Sequence, residues 1–258
     1  MPDRGPSEAV IAHRALQCLD LTDLSESGSD AAIDALCTKA LTSHGPVAAV
    51  CIWPQFVSRA SGALRGSPVS IATVVNFPAG GEDVDRVVDD LHEALGDGAN
   101  EIDLVLPYHA VKRGDFDCAT EMVSAVRDVV DQGRLLKVIL ETGELIEPEL
   151  IGTASRLAIE AGADFIKTST GKTAVSATPE AAERMLKAIK ASGRPVGLKP
   201  SGGIRTVEDA GRYLDLADRI MGTGWAGPRT FRIGASSVYE ALIAAIEGRA
   251  SAAGAGVY

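Results

Sequence analysis

The chain has 258 residues, of which 46% are hydrophobic, 23% are charged and only 4% are aromatic. This size and composition allow a large aliphatic core and suit an α/β barrel built as one domain. The formal net charge is −10 and no run of Lys and Arg occurs, which argues against a nucleic-acid partner because phosphate backbones require a dense basic surface.

The N-terminal sequence MPDRGPSEAV lacks the apolar region of a secretory signal, and no stretch approaches 18 uninterrupted apolar residues. The four cysteines lie far apart, without CxxC spacing: Cys18, Cys37, Cys51 and Cys118. We therefore expect reduced thiols, no membrane partner and a cytoplasmic location.

Two helices are predicted ahead of the barrel, at Ser7–Leu19 and Asp30–Ser43, so that segment 1–45 would cover it. From about residue 47 onwards, short β-rich runs alternate with segments that carry apolar residues at helical spacing. The predicted strands are Val47–Ile52, Val69–Val75, Glu101–Leu106, Leu135–Leu140, Asp164–Ser169, Pro195–Lys199, Arg219–Met221 and Phe231–Ile233.

A strand followed by a helix, repeated eight times, is typical of a closed parallel barrel. The predicted fold is therefore an α/β (β/α)8 TIM barrel with extra N-terminal helices, forming a single domain over 1–258. An open doubly wound sheet is the alternative if two strands, above all the seventh, are misassigned. The Gly-, Ala- and Ser-rich tail 248–258 is predicted to be flexible apart from Tyr258.

Side chains alternate between two faces along a strand. In Glu101–Leu106 the aliphatic residues at every second position would pack under helices, which leaves Asp103 pointing into the barrel. The same parity predicts inward-facing lysines on the next three strands, at Lys137, Lys167 and Lys199.

Lys167 and Lys199 lie near the carboxyl ends of their strands, where the active sites of barrel enzymes form. Neighbouring like charges and burial both disfavour double protonation, so one lysine can be a neutral amine near pH 7. A neutral amine attacks carbonyls to form a Schiff base, and Asp103 could move the proton. The alternative interpretation is a structural ion network in which Asp103 pairs with Lys137.

Glycine- and hydroxyl-rich turns follow three strands: TSTGKT at 168–173, SGGIRT at 201–206 and GASS at 234–237. Glycines let backbone N–H groups approach an anion, and Lys172 or Arg205 adds charge, so these turns favour a phosphate site. A nucleotide P-loop is excluded because its first glycine would fall at Ile166. The scattered histidines (His13, His44, His92 and His109) lack metal-ligand spacing, so no metal or other cofactor is expected.

Several motifs in order strongly resemble the deoxyribose-phosphate aldolase family, class I aldolases on a (β/α)8 barrel. They are LDLTDL at 19–24, NEIDLVLPY at 100–108, LLKVILETGEL at 135–145, AGADFIKTSTGK at 161–172, VGLKPSGGIRT at 196–206 and FRIGASS at 231–237. The departures are small: Leu198 stands where many members have an aromatic residue, and Ser201 where many have alanine.

The resemblance implies reversible cleavage of 2-deoxy-D-ribose 5-phosphate to D-glyceraldehyde 3-phosphate and acetaldehyde, in deoxyribonucleoside catabolism. It implies that Lys167 is the Schiff-base lysine, Lys199 its pKa-lowering neighbour and Asp103 the proton-relay acid. The residues implied to bind substrate or phosphate are Asp20, Thr22, Thr168, Gly171, Lys172, Gly202, Gly203, Arg205, Gly234, Ser236 and Ser237. A homodimer is a family expectation. Two alternatives remain: another phosphosugar barrel enzyme, such as an isomerase or epimerase with Asp103 as base, and a non-catalytic phosphate-binding barrel.

Overall fold

A parallel β-barrel forms the centre of the computed structural model, which describes residues 6–131 and 133–249. Its strands are β1 Leu19–Asp23, β2 Ala49–Ile52, β3 Ser70–Val75, β4 Glu101–Val105, β5 Leu135–Ile139, β6 Phe165–Lys167, β7 Gly197–Lys199 and β8 Ile233–Ala235. Adjacent strands pair in the order β8, β1, β2, β3, β4, β5, β6, β7. Parallel bridges from Leu198 to Phe231 and from Ser201 to Gly234 join β7 to the β8 segment. The barrel is thus closed, which confirms the predicted fold.

Helices connect the strands and cover the outside of the barrel. They are α1 Glu8–Gln17, α2 Asp30–Ala40, α3 Val57–Ala63, α4 Val84–Gly96, α5 Tyr108–Lys112, α6 Phe116–Val129, α7 Thr142–Leu145, α8 Pro148–Glu160, α9 Pro179–Ser192, α10 Val207–Met221 and α11 Tyr239–Ile246. None of the helices in these described segments is both long and apolar enough to cross a bilayer.

Local sequence accounts for where two of the helices begin. The Thr178 side chain accepts a hydrogen bond from the Ala181 N–H at the start of α9, where proline occupies the first turn. At α10, Thr206 and Asp209 form a reciprocal capping box. These caps fix the points at which α9 and α10 leave the loops that follow β6 and β7.

The predicted seventh strand is wrong. Arg219–Met221 forms the last turn of α10. Arg219 is exposed and the next two residues are only partly buried, which suits the end of an amphipathic helix and not a barrel strand.

The missing strand lies in segment 1–45, which was predicted to hold only helices ahead of the barrel. It is β1, which pairs with both β8 and β2. Leu19 and Leu21 are buried in the main hydrophobic core, whereas Asp20 meets cations inside the barrel. The sequence analysis did not predict this strand, because two aspartates in five residues disfavour a buried strand unless distant partners neutralise them.

The last strand begins two residues later than predicted, at Ile233, so Gly234 lies within β8 and not after it. Phe231, the predicted start, makes only an isolated bridge to Leu198. The predicted flexible tail falls outside the described residues beyond Arg249, and so does Tyr258.

The barrel interior has an apolar side and a charged side. Small residues from β2 and β3 form a separate hydrophobic cluster with Leu24, and Trp53 and Phe77 pack against it. Lysines and carboxylates from β1, β4, β5, β6 and β7 form the charged side. Aliphatic residues that point outward from the strands, such as Ile102 and Leu136, are fully buried against the helices.

Candidate active site

Three lysine side chains meet one carboxylate inside the barrel. Strand register pairs Asp103 with Lys137 and Lys167 with Lys199. Lys137 Nζ lies 2.8 Å from Asp103 Oδ1. Lys167 Nζ and Lys199 Nζ lie 2.8 and 2.7 Å from Asp103 Oδ2. All four residues are at most 2% exposed, so the structure places them together where strand parity predicts.

Two residues that the sequence analysis did not include in the site extend this cluster. Glu101 Oε2 lies 2.7 Å from Lys137 Nζ. Arg232 donates from Nη2 to Glu101 Oε1 at 2.8 Å and from Nη1 to Asp20 Oδ1 at 2.6 Å. Strand parity puts Glu101 on the same face as Asp103, so it could have been found. No sequence pattern places Arg232 in the site, because its partners lie 131 and 212 residues away in the chain.

The pKa of Lys167 is lowered from its ordinary value. Burial is the largest cause, because it removes water from the ammonium, and the Lys199 cation acts in the same direction. The Asp103 carboxylate opposes both effects. Lys167 is therefore the lysine of this cluster that most readily becomes a neutral amine.

The other two lysines are held in their charged forms. Burial again opposes the charge, but Asp103 and Asp20 outweigh it at Lys199 and raise its pKa. Asp103 and Glu101 raise the pKa of Lys137 in the same way. Burial would raise the pKa of Asp103, yet its three lysine neighbours hold that pKa well below the usual value.

A cavity of about 540 Å³ opens above the cluster, at the carboxyl ends of β1, β6, β7 and β8. Eight of the predicted binding residues line it: Thr22, Gly171, Lys172, Gly202, Gly203, Gly234, Ser236 and Ser237. Gly234 connects the cavity to the cluster, because a Cβ at this position would lie 3.0 Å from Lys199 Cε. The predicted phosphate turns and the predicted catalytic lysines are thus adjacent.

Any side chain at position 202 would distort the turn after β7. Its φ is +84°, in the left-handed region, and a Cβ would lie 2.6 Å from the Ser176 side chain. The turn after β7 therefore presents backbone to the cavity, as an anion site requires.

A buried carboxylate that the sequence analysis missed organises the loop after β6. Glu141 is fully buried and adopts φ +55°, and it accepts hydrogen bonds from Thr170 N–H, Thr170 Oγ1 and Thr173 Oγ1. Thr170 Oγ1 in turn accepts from the Lys172 N–H at 3.0 Å. Lys172 Nζ donates to the Leu24 carbonyl at 2.8 Å, across the cavity mouth.

Three predicted binding residues do not line the cavity. Asp20 is fully buried, with Oδ2 2.5 Å from Lys199 Nζ, so it belongs to the charge cluster. Thr168 is also buried, and its hydroxyl exchanges hydrogen bonds with the Ser201 backbone. Arg205 is exposed beside the N-terminus of α10, and its backbone N–H donates to Asp209. The cavity is lined as far as Ile204, and Arg205 is the first residue after this turn that does not line it.

The fold is a closed (β/α)8 barrel, and its lysine–carboxylate cluster lies beneath a polar cavity at the carboxyl ends of the strands. This arrangement is that of a barrel enzyme with a buried amine beside the cavity. The profile of the DeoC/LacD family of aldolases matches residues 14–236. The chain belongs to this family.

Named relatives agree with this membership. A deoxyribose-phosphate aldolase of Agrobacterium fabrum (strain C58 / ATCC 33970) is 52% identical over 254 residues, covering 98% of this chain and 97% of the relative. A crystal structure assigned as a deoxyribose-phosphate aldolase of Coccidioides immitis is 32% identical, has a TM-score of 0.79 and covers 91% of this chain and 87% of its own. The tetrameric deoxyribose phosphate aldolase of Aeropyrum pernix is 26% identical, with a TM-score of 0.72, and covers 94% of this chain and 93% of its own.

Proposed function

We propose that this chain is an aldehyde-lyase that reversibly cleaves 2-deoxy-D-ribose 5-phosphate to D-glyceraldehyde 3-phosphate and acetaldehyde, in deoxyribonucleoside catabolism. The observation that carries the proposal is the buried Lys167 amine, which has a lowered pKa and lies 2.8 Å from Asp103. The similarity to the Agrobacterium fabrum aldolase supports the substrate.

In the proposed mechanism, neutral Lys167 attacks the C1 aldehyde of the open-chain sugar, and loss of water gives an iminium. The C3 hydroxyl loses its proton, the C2–C3 bond breaks, and its electron pair moves to the iminium to give an enamine. Glyceraldehyde phosphate leaves. Protonation of the enamine carbon and hydrolysis then release acetaldehyde and restore the amine.

Asp103 and the Lys199 cation are suited to both proton transfers, through a water molecule. They lie 2.7 Å apart, and Asp103 Oδ2 also contacts the Lys167 amine. A fixed acid–base pair beside the reacting nitrogen can serve both directions of a reversible reaction.

The phosphate end of the sugar would lie in the cavity above the cluster. Lys172 supplies positive charge, and the turn at Gly202–Gly203 and the hydroxyls of Ser236 and Ser237 supply donors. Lys172 would exchange its present contact with the Leu24 carbonyl for the phosphate. The net charge of −10 makes this local capture necessary, since the protein as a whole repels anions.

Trapping with acetaldehyde and sodium borohydride tests the proposal. The expected product is a single N-ethyl adduct, about 28 Da heavier, which peptide mapping locates on Lys167. Lys167→Ala should abolish both the adduct and turnover, while Lys187→Ala, on the exposed face of α9, should change neither. Absence of the adduct in the unaltered protein would contradict the Schiff-base mechanism and favour an isomerase or epimerase with Asp103 as base.

Three further parts of the proposal concern the whole protein. The chain 1–258 is one domain, a view supported by the packing of α1 against α10 and α11. The location is cytoplasmic, supported by free thiols at the four cysteines. The assembly is a homodimer on the family resemblance, whereas the Aeropyrum pernix enzyme is a tetramer; sedimentation equilibrium distinguishes the two.

A further inference from the structure

The buried cluster carries one more potential cation than it has carboxylates. Its cationic residues are Lys137, Lys167, Lys199 and Arg232, and its carboxylates are Asp20, Glu101 and Asp103. Each of the seven side chains is at most 6% exposed. An excess charge in such a site is costly, so the cluster favours the loss of one proton.

The contacts decide which group loses that proton. Lys137 has three carboxylates within 4 Å, at 2.7, 2.8 and 3.7 Å. Lys199 has two, Asp20 at 2.5 Å and Asp103 at 2.7 Å. Within residues 6–131 and 133–249, Lys167 Nζ has a single carboxylate partner, Asp103. Lys167 is the least stabilised of the three cations.

Arg232 cannot release the proton itself, because a guanidinium stays charged in proteins. It is held in place by Glu101 and Asp20, by the Pro228 carbonyl that Nε contacts, and by the Phe165 ring 5.6 Å from Cζ. It therefore acts as a permanent charge that takes up part of the negative charge of Glu101 and Asp20. Without it, the three lysines and three carboxylates would balance when all are ionised.

We propose that Arg232 is a positioning residue that keeps Lys167 a free amine, by supplying the fourth positive charge of the buried cluster. It does so through Glu101 and Asp20 and has no contact with Lys167 in the described chain. The inference rests on the proposed function, since it assigns a purpose to an unprotonated Lys167.

The remaining titratable groups near the cluster do not alter this charge count. Cys51 from β2 lies 3.9 Å from Asp103 Oδ2, and burial raises its pKa. Cys18, just before β1, faces the Arg232 side, and burial raises its pKa to about 12. Both thiols are uncharged at neutral pH. On β3 the inward-facing side is apolar, with Ala72 and Val74 in the small hydrophobic cluster.

The test is the pH dependence of Lys167 reactivity in Arg232→Met. With the fourth cation removed, protonated Lys167 completes the charge balance. The midpoint for trapping by acetaldehyde and sodium cyanoborohydride should therefore move up by at least about one pH unit, with trapping roughly tenfold slower at pH 7. The maximal rate should return at high pH, which a merely misfolded site would not allow. Arg232→Lys should keep the original midpoint.

Glu101→Gln gives the opposite prediction. Removing a carboxylate increases the excess positive charge, so the midpoint for Lys167 should move down. The double variant Glu101→Gln/Arg232→Met restores an excess of one, and its midpoint should return to that of the unaltered protein. This reversal distinguishes a charge effect from loss of packing. If Arg232→Met does not fold, an unchanged midpoint in Glu101→Gln would still overturn the proposal, because the proposed role of Arg232 acts through the charge count of the cluster.

Trace acetylation by acetic anhydride, mapped by mass spectrometry, reads the same titration of Lys167 without an aldehyde. If acetylation shows the expected midpoints for Lys167 in the unaltered protein and its variants but the aldehyde is not trapped, the result counts against the proposed function alone. Unchanged midpoints in Arg232→Met and Glu101→Gln, by either reagent, would overturn the role of Arg232.

Discussion

The buried amine of Lys167, which the proposed reaction requires, lowers the stability of the folded protein. It is 2% exposed, and its pKa is lowered first by burial. Between the folded and unfolded pKa values, the unfolded chain binds more protons than the folded chain, so stability rises with pH in that window. At neutral pH, below the unfolded value, the buried amine is a net cost to folding.

Lys167→Met should therefore abolish trapping and turnover but raise the free energy of unfolding by about 1 kcal/mol at pH 7. Asp103 keeps two lysine partners in this variant, at 2.8 and 2.7 Å. Urea denaturation followed by circular dichroism measures the change, with Lys187→Met on the exposed surface as control. A marked loss of stability would mean that the Lys167–Asp103 pair is structural.

At the scale of an element, the loop after β6 depends on the turn after β5. Glu141 lies in that turn in a left-handed conformation and holds Thr170 and Thr173 through buried hydrogen bonds. Such a conformation is costly for a residue other than glycine, and it persists because the surrounding hydrogen bonds determine it. Lys172 follows two residues after Thr170, so its place at the cavity depends on Glu141.

Glu141→Ala should raise KM for 2-deoxyribose 5-phosphate roughly tenfold, because the loop that carries Lys172 loses its anchor. Turnover of 2-deoxyribose without phosphate, which does not use Lys172, should change much less. Glu144→Ala is the matched control, since Glu144 is a partly exposed residue that pairs with Lys112. Equal losses with both substrates would instead indicate a general effect on folding.

At the scale of the whole molecule, ion pairs of the cluster join five of the eight strands, β1, β4, β5, β6 and β7, to Arg232 just before β8. The pKa values of Asp20, Glu101 and Asp103 are all lowered, since the lysine and arginine neighbours outweigh the opposing effect of burial. A carboxyl group with a lowered folded pKa contributes stability that is present above its unfolded pKa and is lost as the pH falls towards the folded value.

We expect the stability of the fold to change little between pH 7 and about pH 5 and to fall steeply below about pH 4, where the unfolded carboxyl groups begin to bind protons. Urea denaturation at a series of pH values measures this. Glu101→Gln removes one of the three carboxylates and should reduce the slope. A stability that stays constant down to pH 3 would contradict the contribution of the cluster.

Much of the fold and site follows from local patterns. Alternation along a strand has a period of two residues, and it predicts that Asp103, Lys137, Lys167 and Lys199 face inward, as observed. The same alternation holds in β1, where Leu19 and Leu21 lie in the outer core and Asp20 faces the barrel, but the sequence did not predict this strand because the cations that pair with Asp20 lie far away in the chain.

The sequence by itself determined the strand–helix repeat, the glycine turns and the inward direction of the charged side chains, because these depend on near neighbours in the chain. Only the tertiary structure decided that β1 completes the barrel, that Arg205 does not line the cavity, and that Lys167 has fewer carboxylate partners than Lys199. The first and the last of these outcomes depend on contacts between residues more than 60 positions apart, such as Lys167 with Asp103. Electrostatic energies depend on distances in space, so the lysine with the lowered pKa is specified only once the barrel closes.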